Sequence, residues 1–406
     1  MKYKCCSMLM GGIEFRYNGI ALCQRVDHIG GGDIVVQTYD DKKDKNFQFD
    51  TNKYFEKQKE IIEQNKTGKV YNRCVGCLEL KKREWPEIED IRINQIILHH
   101  WTKCNSHCMY CYTNKDKKYF NSRRNYNVLP ILKQFDEKGE VIAYAGTCCF
   151  AGGEISCLKE FNDIVKLLDK YDYSYIFNSS CVKFEKTVEK CLQKGNGMLI
   201  VSTDCGNREL HKKIKQVDTF NTVWKNIKKY AEAAKDHKDM IYTKYIILKD
   251  INDNEQAITE FIEMSKQSGI ETILMEIDHY YFCENRDNIP QYIIDLFYFA
   301  FNKAEEMGLK CQIYSNSGVL LLQGKYADKF WKPYLFDAGK HITNYSMRHI
   351  LQIPLNNTNN ISEYDDINST ATNNNLTYTD IWKICEENKN LKSINGYIYI
   401  YKNTEN

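Results

Sequence analysis

"INQIILHHWTKCNSHCMYCY", Ile93 to Tyr112, joins the two signals on which the fold turns. Its first eight residues, "INQIILHH", are a β-branched, leucine-containing run of the kind that makes a buried strand, and the loop after it carries Cys104, Cys108 and Cys111. The C-x3-C-x2-C spacing puts three thiolates on one loop, close enough to face a single compact centre. A structural zinc ion normally takes four ligands, whereas soft thiolates also select iron–sulfur clusters, whose irons usually take one cysteine each. Three cysteines leave one iron open. A zinc knuckle that borrows His100 or His107 is the competing reading of this loop.

The rest of the chain narrows the field. Its 406 residues suffice for one large domain with additions, or for two. Lysine plus arginine total 56 against 54 acidic residues, so the field gives nucleic acid or an anionic membrane little electrostatic reason to bind. No apolar run approaches the roughly 20 residues of a membrane span. "MKYKCCSMLMGG" has too short an apolar stretch for a secretory signal, so a cytoplasmic location is expected. In a reducing compartment 17 cysteines serve as metal ligands, catalytic groups or small buried hydrophobes rather than disulfides.

Beyond the cysteine loop the sequence alternates. "TCCF" runs into Gly152, Gly153 and Glu154; "YDYSYIFNSS" ends in polar residues; "GMLIVST" leads to Ser202 and Asp204; "MIYTKYIIL" and "ETILMEI" follow, each strand with a helix after it. That makes six βα units from Ile93, which implies a parallel sheet with right-handed crossovers and chemistry at the C-terminal strand ends. A flavodoxin-like open sheet accounts for the alternation equally well.

The cysteine loop resembles the signature of the radical S-adenosylmethionine (radical SAM) enzymes, C-x3-C-x-aromatic-C, with Tyr110 in the aromatic position. The resemblance implies a partial (βα)6 TIM-type barrel and a [4Fe–4S] cluster on Cys104, Cys108 and Cys111, with S-adenosylmethionine chelating the free iron. Gly152, Gly153 and Glu154 are similar to the family's GGE motif, which holds the methionyl amino group of the cofactor. Glycines permit close backbone approach, and a carboxylate can accept from an ammonium group. Ser202, Asp204 and His211 are similar to the family pattern S-x-D-G-x4-H-D-x2-R with one residue more before the histidine, while Cys205, Lys212 and Lys215 replace its glycine, aspartate and arginine. Lys215 thus stands where an arginine would grip the cofactor carboxylate, with a point charge in place of a fork. The implied reaction is reductive cleavage of S-adenosylmethionine to a 5′-deoxyadenosyl radical, which removes hydrogen from a substrate. A flavodoxin or ferredoxin-type protein would donate the electron.

Residues 1–88 lack the βα rhythm and contain Cys5, Cys6, Cys23, Cys74 and Cys77. A C-x2-C pair brought against two separated cysteines is a common way to complete an S4 site, for zinc or for iron–sulfur. The order of cysteine, Gly19, cysteine and C-x2-C is similar to the auxiliary-cluster region called SPASM or twitch, although that region usually follows the barrel. The resemblance implies a second [4Fe–4S] cluster on Cys6, Cys23, Cys74 and Cys77, with Cys5 as the substitute for Cys6. Residues 89–345 are then the core, and residues 346–406 an Asn-rich linker followed by a small helix–strand extension. A peptide or protein substrate is expected; the alternatives are a sugar or other small metabolite, or a non-catalytic zinc-binding interaction protein.

Overall fold

The computed structural model describes residues 2–23, 34–40, 47–75, 77, 80–111, 126–139, 141–285, 288–314, 350–354, 362–364, 393–394 and 397–401. The cysteine-rich N-terminal stretch forms short strands, β1 (Lys2–Cys5), β2 (Gly12–Arg16), β3 (Gly19–Cys23) and β4 (Ile34–Thr38), then helix α1 (Thr51–Lys66) and strand β5 (Lys81–Glu84). Alternation begins at β6 (Ile93–His99) and continues through α2 (Leu129–Glu137), β7 (Ile142–Phe150), α3 (Phe161–Leu168), β8 (Ser174–Ser179), α4 (Lys186–Lys194) and β9 (Gly197–Ser202). Helices α5 (Arg208–Lys215) and α6 (Phe220–Ala233) precede β10 (Ile241–Ile247), α7 (Glu255–Gln267), β11 (Thr272–Ile277), α8 (His279–Asn285), α9 (Gln291–Glu306) and β12 (Lys310–Ile313).

These elements make an α/β fold around a mostly parallel central sheet of order β12-β11-β10-β9-β8-β7-β6-β2-β3-β4. The strands from β6 to β12 pair in parallel with their neighbours, which is why β9 and β11 read as continuous apolar runs: a parallel sheet is covered on both faces. The helices supply the cover. Phe161, Ile164, Val165, Leu167 and Leu168 of α3 are all buried, and the rings of Phe150, Phe161 and Phe177 lie with centroids 5.1 to 5.8 Å apart.

Three features differ from the expectation drawn from the sequence. The sheet extends past residue 88: β2 pairs in parallel with β6, placing Phe15 opposite Leu98, and β3 and β4 add antiparallel strands beyond it. A further parallel strand, β12, follows the sixth expected unit. Two helices rather than one follow β9: residues 208–215 form α5, because Asn207 caps the helix by accepting from the Leu210 N–H at 2.9 Å and because Leu210, His211 and Ile214 share a face.

Near the C-terminus β13 (Ile350–Pro354), β14 (Ser362–Tyr364), β15 (Ser393–Ile394) and β16 (Tyr397–Tyr401) form an antiparallel sheet of order β14-β13-β16-β15. The helix expected in "TYTDIWKICEENKNL" lies outside the described residues, as does most of the Asn-rich segment. Among the described residues no helix is long and apolar enough to cross a membrane.

Candidate active site

Because β6 to β9 are parallel neighbours, the loops leaving their C-terminal ends share one edge of the sheet. β6 delivers the cysteine loop, β7 delivers Gly152 to Glu154, β8 delivers Ser179 and Ser180, and β9 delivers Ser202 to Asp204.

The first two loops are stitched together through backbone. Gly153 N–H donates to Trp101 O at 2.7 Å and Glu154 N–H to Lys103 O at 2.9 Å, while Trp101 Nε1 donates to Glu154 O at 3.1 Å. There is no room for a side chain in this cradle. A Cβ on Gly152 would lie 2.6 Å from Trp101 O, and one on Gly153 2.3 Å from Lys103 O. Glycine is thus required here for close approach.

Glu154 is 3% exposed, and its carboxylate accepts from Ser179 Oγ, Ser180 N–H and Ser180 Oγ, each at 2.7 Å. Burial raises its pKa, and these hydrogen bonds oppose the rise. The Ser180 hydroxyl also lies 3.0 Å from Asn105 Oδ1, so the polar end of β8 reaches the cysteine loop.

The three thiols of that loop influence one another. Cys104 is pushed up to about 12, by desolvation first and then by Glu154, Cys108 and Cys111. Cys108 is also raised, by burial first, with Lys215 opposing. Among the described residues no three or more His, Cys, Asp or Glu side chains are gathered tightly enough to hold a single metal ion. The donor set itself, three soft thiols on one loop beside a glycine cradle, suits a multi-iron centre that takes one cysteine per iron and leaves a position for a ligand.

On the far side of the loop, His107 N–H donates to Lys215 O and Met109 N–H to Ile214 O, both at 3.0 Å, so the C-terminal carbonyls of α5 hold the loop. Asp204, fully buried with φ of 61°, accepts from Tyr110 Oη at 2.5 Å and forms an ion pair with Lys215. Ser202 ends β9 opposite Lys244 of β10, which pairs with Glu276 at 3.0 Å.

His211 is 2% exposed on α5, its Nε2 3.1 Å from Thr219 Oγ1, and burial followed by the Lys215 charge lowers its pKa to about 4. Between the ordinary 6.5 and 4 the unfolded chain binds a proton that the folded chain refuses. Stability from this group is therefore complete above pH 6.5 and lost as the pH falls towards 4. In urea unfolding, the advantage of the native protein over His211→Gln should shrink across that window, by about 3 kcal/mol at most. A constant difference would show that His211 titrates normally.

At the N-terminus, antiparallel pairing of β1 with β5 sets Cys5 opposite Lys81 and so draws Cys5 and Cys6 towards Cys74 and Cys77. The Cys5 thiol is raised by burial first, with Cys6 and Cys74 adding to it. Cys6 Sγ accepts from Leu9 N–H at 3.5 Å, and Cys23 closes β3 with its carbonyl held by Arg16. Cys5, Cys6, Cys23 and Cys74 are buried and Cys77 is partly so.

Trp101, Asn105, Ser179, Ser180 and Asn252 belong to this architecture without having been singled out as site residues. The polar close of β8 signals the serines, whereas nothing local marks Asn252, whose Nδ2 donates to Asp204 O at 3.0 Å from 48 residues away.

Residues 98–264 match the family model described as Radical SAM superfamily. Among solved structures, the chain is similar to Streptococcus suis SuiB bound to S-adenosylmethionine, at 11% identity and a TM-score of 0.41, over 66% of this chain and 57% of that one. It is also similar to native anSMEcpe with bound AdoMet and Cp18Cys peptide (16% identity, TM-score 0.39, 53% and 62% covered) and to a radical SAM methyltransferase from Sphaerobacter thermophilus (13%, 0.36, 52% and 64%). The chain thus spans 57% of the length of the SuiB structure. No curated protein matches it.

Proposed function

We propose that the chain is an enzyme that cleaves S-adenosylmethionine reductively and abstracts hydrogen from a peptide or protein substrate. The observation that carries this reading is the backbone stitching of the Gly152–Gly153–Glu154 cradle to the loop of Cys104, Cys108 and Cys111. Bound at those thiols, a [4Fe–4S] cluster with S-adenosylmethionine would supply the one-electron cleavage and the 5′-deoxyadenosyl radical. The protein's own part is to bind and orient. Gly152 and Gly153 let the loop after β7 pack against the backbone that leads into Cys104, Glu154 and the serines of β8 offer polar contacts at the cofactor's amino group, and Ser202 stands at the next strand end.

A partly closed barrel is the architecture we favour. Tyr314, just beyond β12, has its pKa raised by burial first and then by Cys149 on β7. Those strands are five places apart in the sheet, which at roughly 4.8 Å per strand would put them about 24 Å apart if the sheet were flat. Curling brings them together. Lys244, Glu276, Tyr314 and Cys149 then face a common interior in which a substrate would lie, and Lys244 Nζ sits 4.7 Å over the Tyr314 ring.

We also propose a second [4Fe–4S] cluster on Cys23, Cys74, Cys77 and one of Cys5 and Cys6. The strand pairing of β1 with β5 supports convergence, and the influence of Cys74 on Cys5 makes Cys5 as strong a ligand candidate as Cys6. Iron, sulfide and zinc should be measured after anaerobic reconstitution, alongside 5′-deoxyadenosine release with a reductant. The Cys74→Ala, Cys77→Ala double variant should lose about half the iron and sulfide, because each cluster needs its own cysteines, and should retain cleavage of S-adenosylmethionine. Zinc at the N-terminal cysteines would remove the second cluster from this reading. No cleavage by the native protein would remove the reading itself.

A further inference from the structure

The aromatic residue of the cysteine motif is tied to a buried ion pair. Tyr110 Oη donates to Asp204 Oδ2 at 2.5 Å, and Lys215 Nζ donates to Tyr110 Oη at 2.8 Å and to the Asp204 carboxylate. Lys215 is 2% exposed and Asp204 0%, and the ammonium also lies 5.1 Å from the centre of the Tyr110 ring. Asp204 is itself fixed: its Oδ1 accepts from Ile246 N–H at 3.0 Å and its carbonyl from Asn252 Nδ2 at 3.0 Å. Two more anchors come from the carbonyls of Ile214 and Lys215, which hold the N–H groups of Met109 and His107. The loop is therefore gripped at His107, Met109 and Tyr110, on both sides of Cys108 and next to Cys111.

We infer, on the proposed radical SAM reading, that Lys215 is a positioning residue that clamps the cysteine loop and places a fixed positive charge beside the cluster, rather than a group that grips the cofactor carboxylate. The ammonium is turned to Tyr110 and Asp204. The charge is held on the Tyr110 hydroxyl, and Tyr110 is two residues from Cys108 and one from Cys111. A cation close to an iron–sulfur centre stabilises the more negative, reduced state and so raises its reduction potential.

The test uses the reconstituted holoprotein and its Lys215→Met and Lys215→Arg variants. Cluster potential is read by an electron paramagnetic resonance redox titration, and S-adenosylmethionine affinity by equilibrium binding. Lys215→Met should shift the midpoint potential to more negative values, Lys215→Arg should recover most of the shift, and affinity should fall by well under about tenfold. A grip on the carboxylate predicts the reverse pattern: an unmoved potential and about a tenfold or greater loss of binding, the worth of a charge-assisted hydrogen bond. That result would overturn the inference.

Lys215→Met leaves Asp204 buried without its partner and can cost the fold, so Tyr110→Phe, which deletes one oxygen, gives an independent reading. Iron should leave Tyr110→Phe several-fold faster than the native protein in the presence of a chelator. An unchanged release rate would show that the loop is not clamped. If the native protein shows no four-iron signal, the radical SAM reading fails and this inference falls with it, an outcome distinct from a native cluster whose potential ignores Lys215.

Discussion

Replacing Cys104, Cys108 or Cys111 by alanine should abolish formation of 5′-deoxyadenosine from S-adenosylmethionine and a reductant, down to the background of the assay. On the proposed reading three irons of the cluster would each take one of these thiolates and the fourth would be left to the cofactor, so no ligand would be spare. Substitute donors are poorly placed: Cys205 is completely buried, and the His107 backbone is tied to Lys215. The loss should be specific. Cys104 is exposed and Cys108 and Cys111 only partly covered, so alanine at these positions opens no core cavity, and the circular dichroism and melting temperature of the metal-free proteins should match the native chain. Native-level cleavage in any of the three variants would defeat the cluster assignment. Cleavage lost together with cooperative unfolding would instead mark the cysteine as structural.

What the sequence made legible was local. A strand, a turn and three thiols lie within twenty consecutive residues from Ile93 to Tyr112, and the glycine pair lies where a backbone has to approach another closely. The partners of those residues were not legible. Tyr110 is joined to Asp204 across 94 positions and to Lys215 across 105, and neither spacing carries a period that a reader could follow. Lys215 illustrates the limit: the motif predicts a cation, and the cation is there, but only the fold shows that it faces inward on a carboxylate and a phenol. The N-terminal strands show the same thing for topology. "GIEFR" and "GIALC" are short and cysteine-flanked, so they read as a metal-binding region, yet β2 is almost wholly buried because it pairs with β6 at the edge of the parallel strands. Short strands earn their place through their neighbours, and a single sequence does not name those neighbours.

Gly153→Ala should weaken S-adenosylmethionine binding roughly 100-fold or more, the combined worth of two backbone hydrogen bonds and a displaced charged acceptor. The new Cβ would stand 2.3 Å from Lys103 O and 2.8 Å from Thr102 C, and both are backbone atoms that cannot swing aside. One loop must move by about 1 Å to restore ordinary contact. Moving it breaks the bonds from Gly153 N–H to Trp101 O and from Glu154 N–H to Lys103 O, and it carries Glu154 away from Ser179 and Ser180. The φ of Gly153 lies outside the left-handed region that favours glycine, so the argument for this position is one of space. Gly139→Ala supplies the contrasting case. Its φ of 63° makes alanine cost about 1 kcal/mol of local stability, but nothing lies within 4 Å of the added carbon and the position is exposed beyond α2. Equilibrium binding measured on both variants separates the two causes. Binding lost in Gly153→Ala and kept in Gly139→Ala is the expected pattern, with iron content in the former falling as well, because the displaced partner is the stretch that leads into Cys104. If Gly153→Ala binds the cofactor as the native protein does, the glycines serve only as a turn after β7, and the amino group must be held elsewhere along the strand ends.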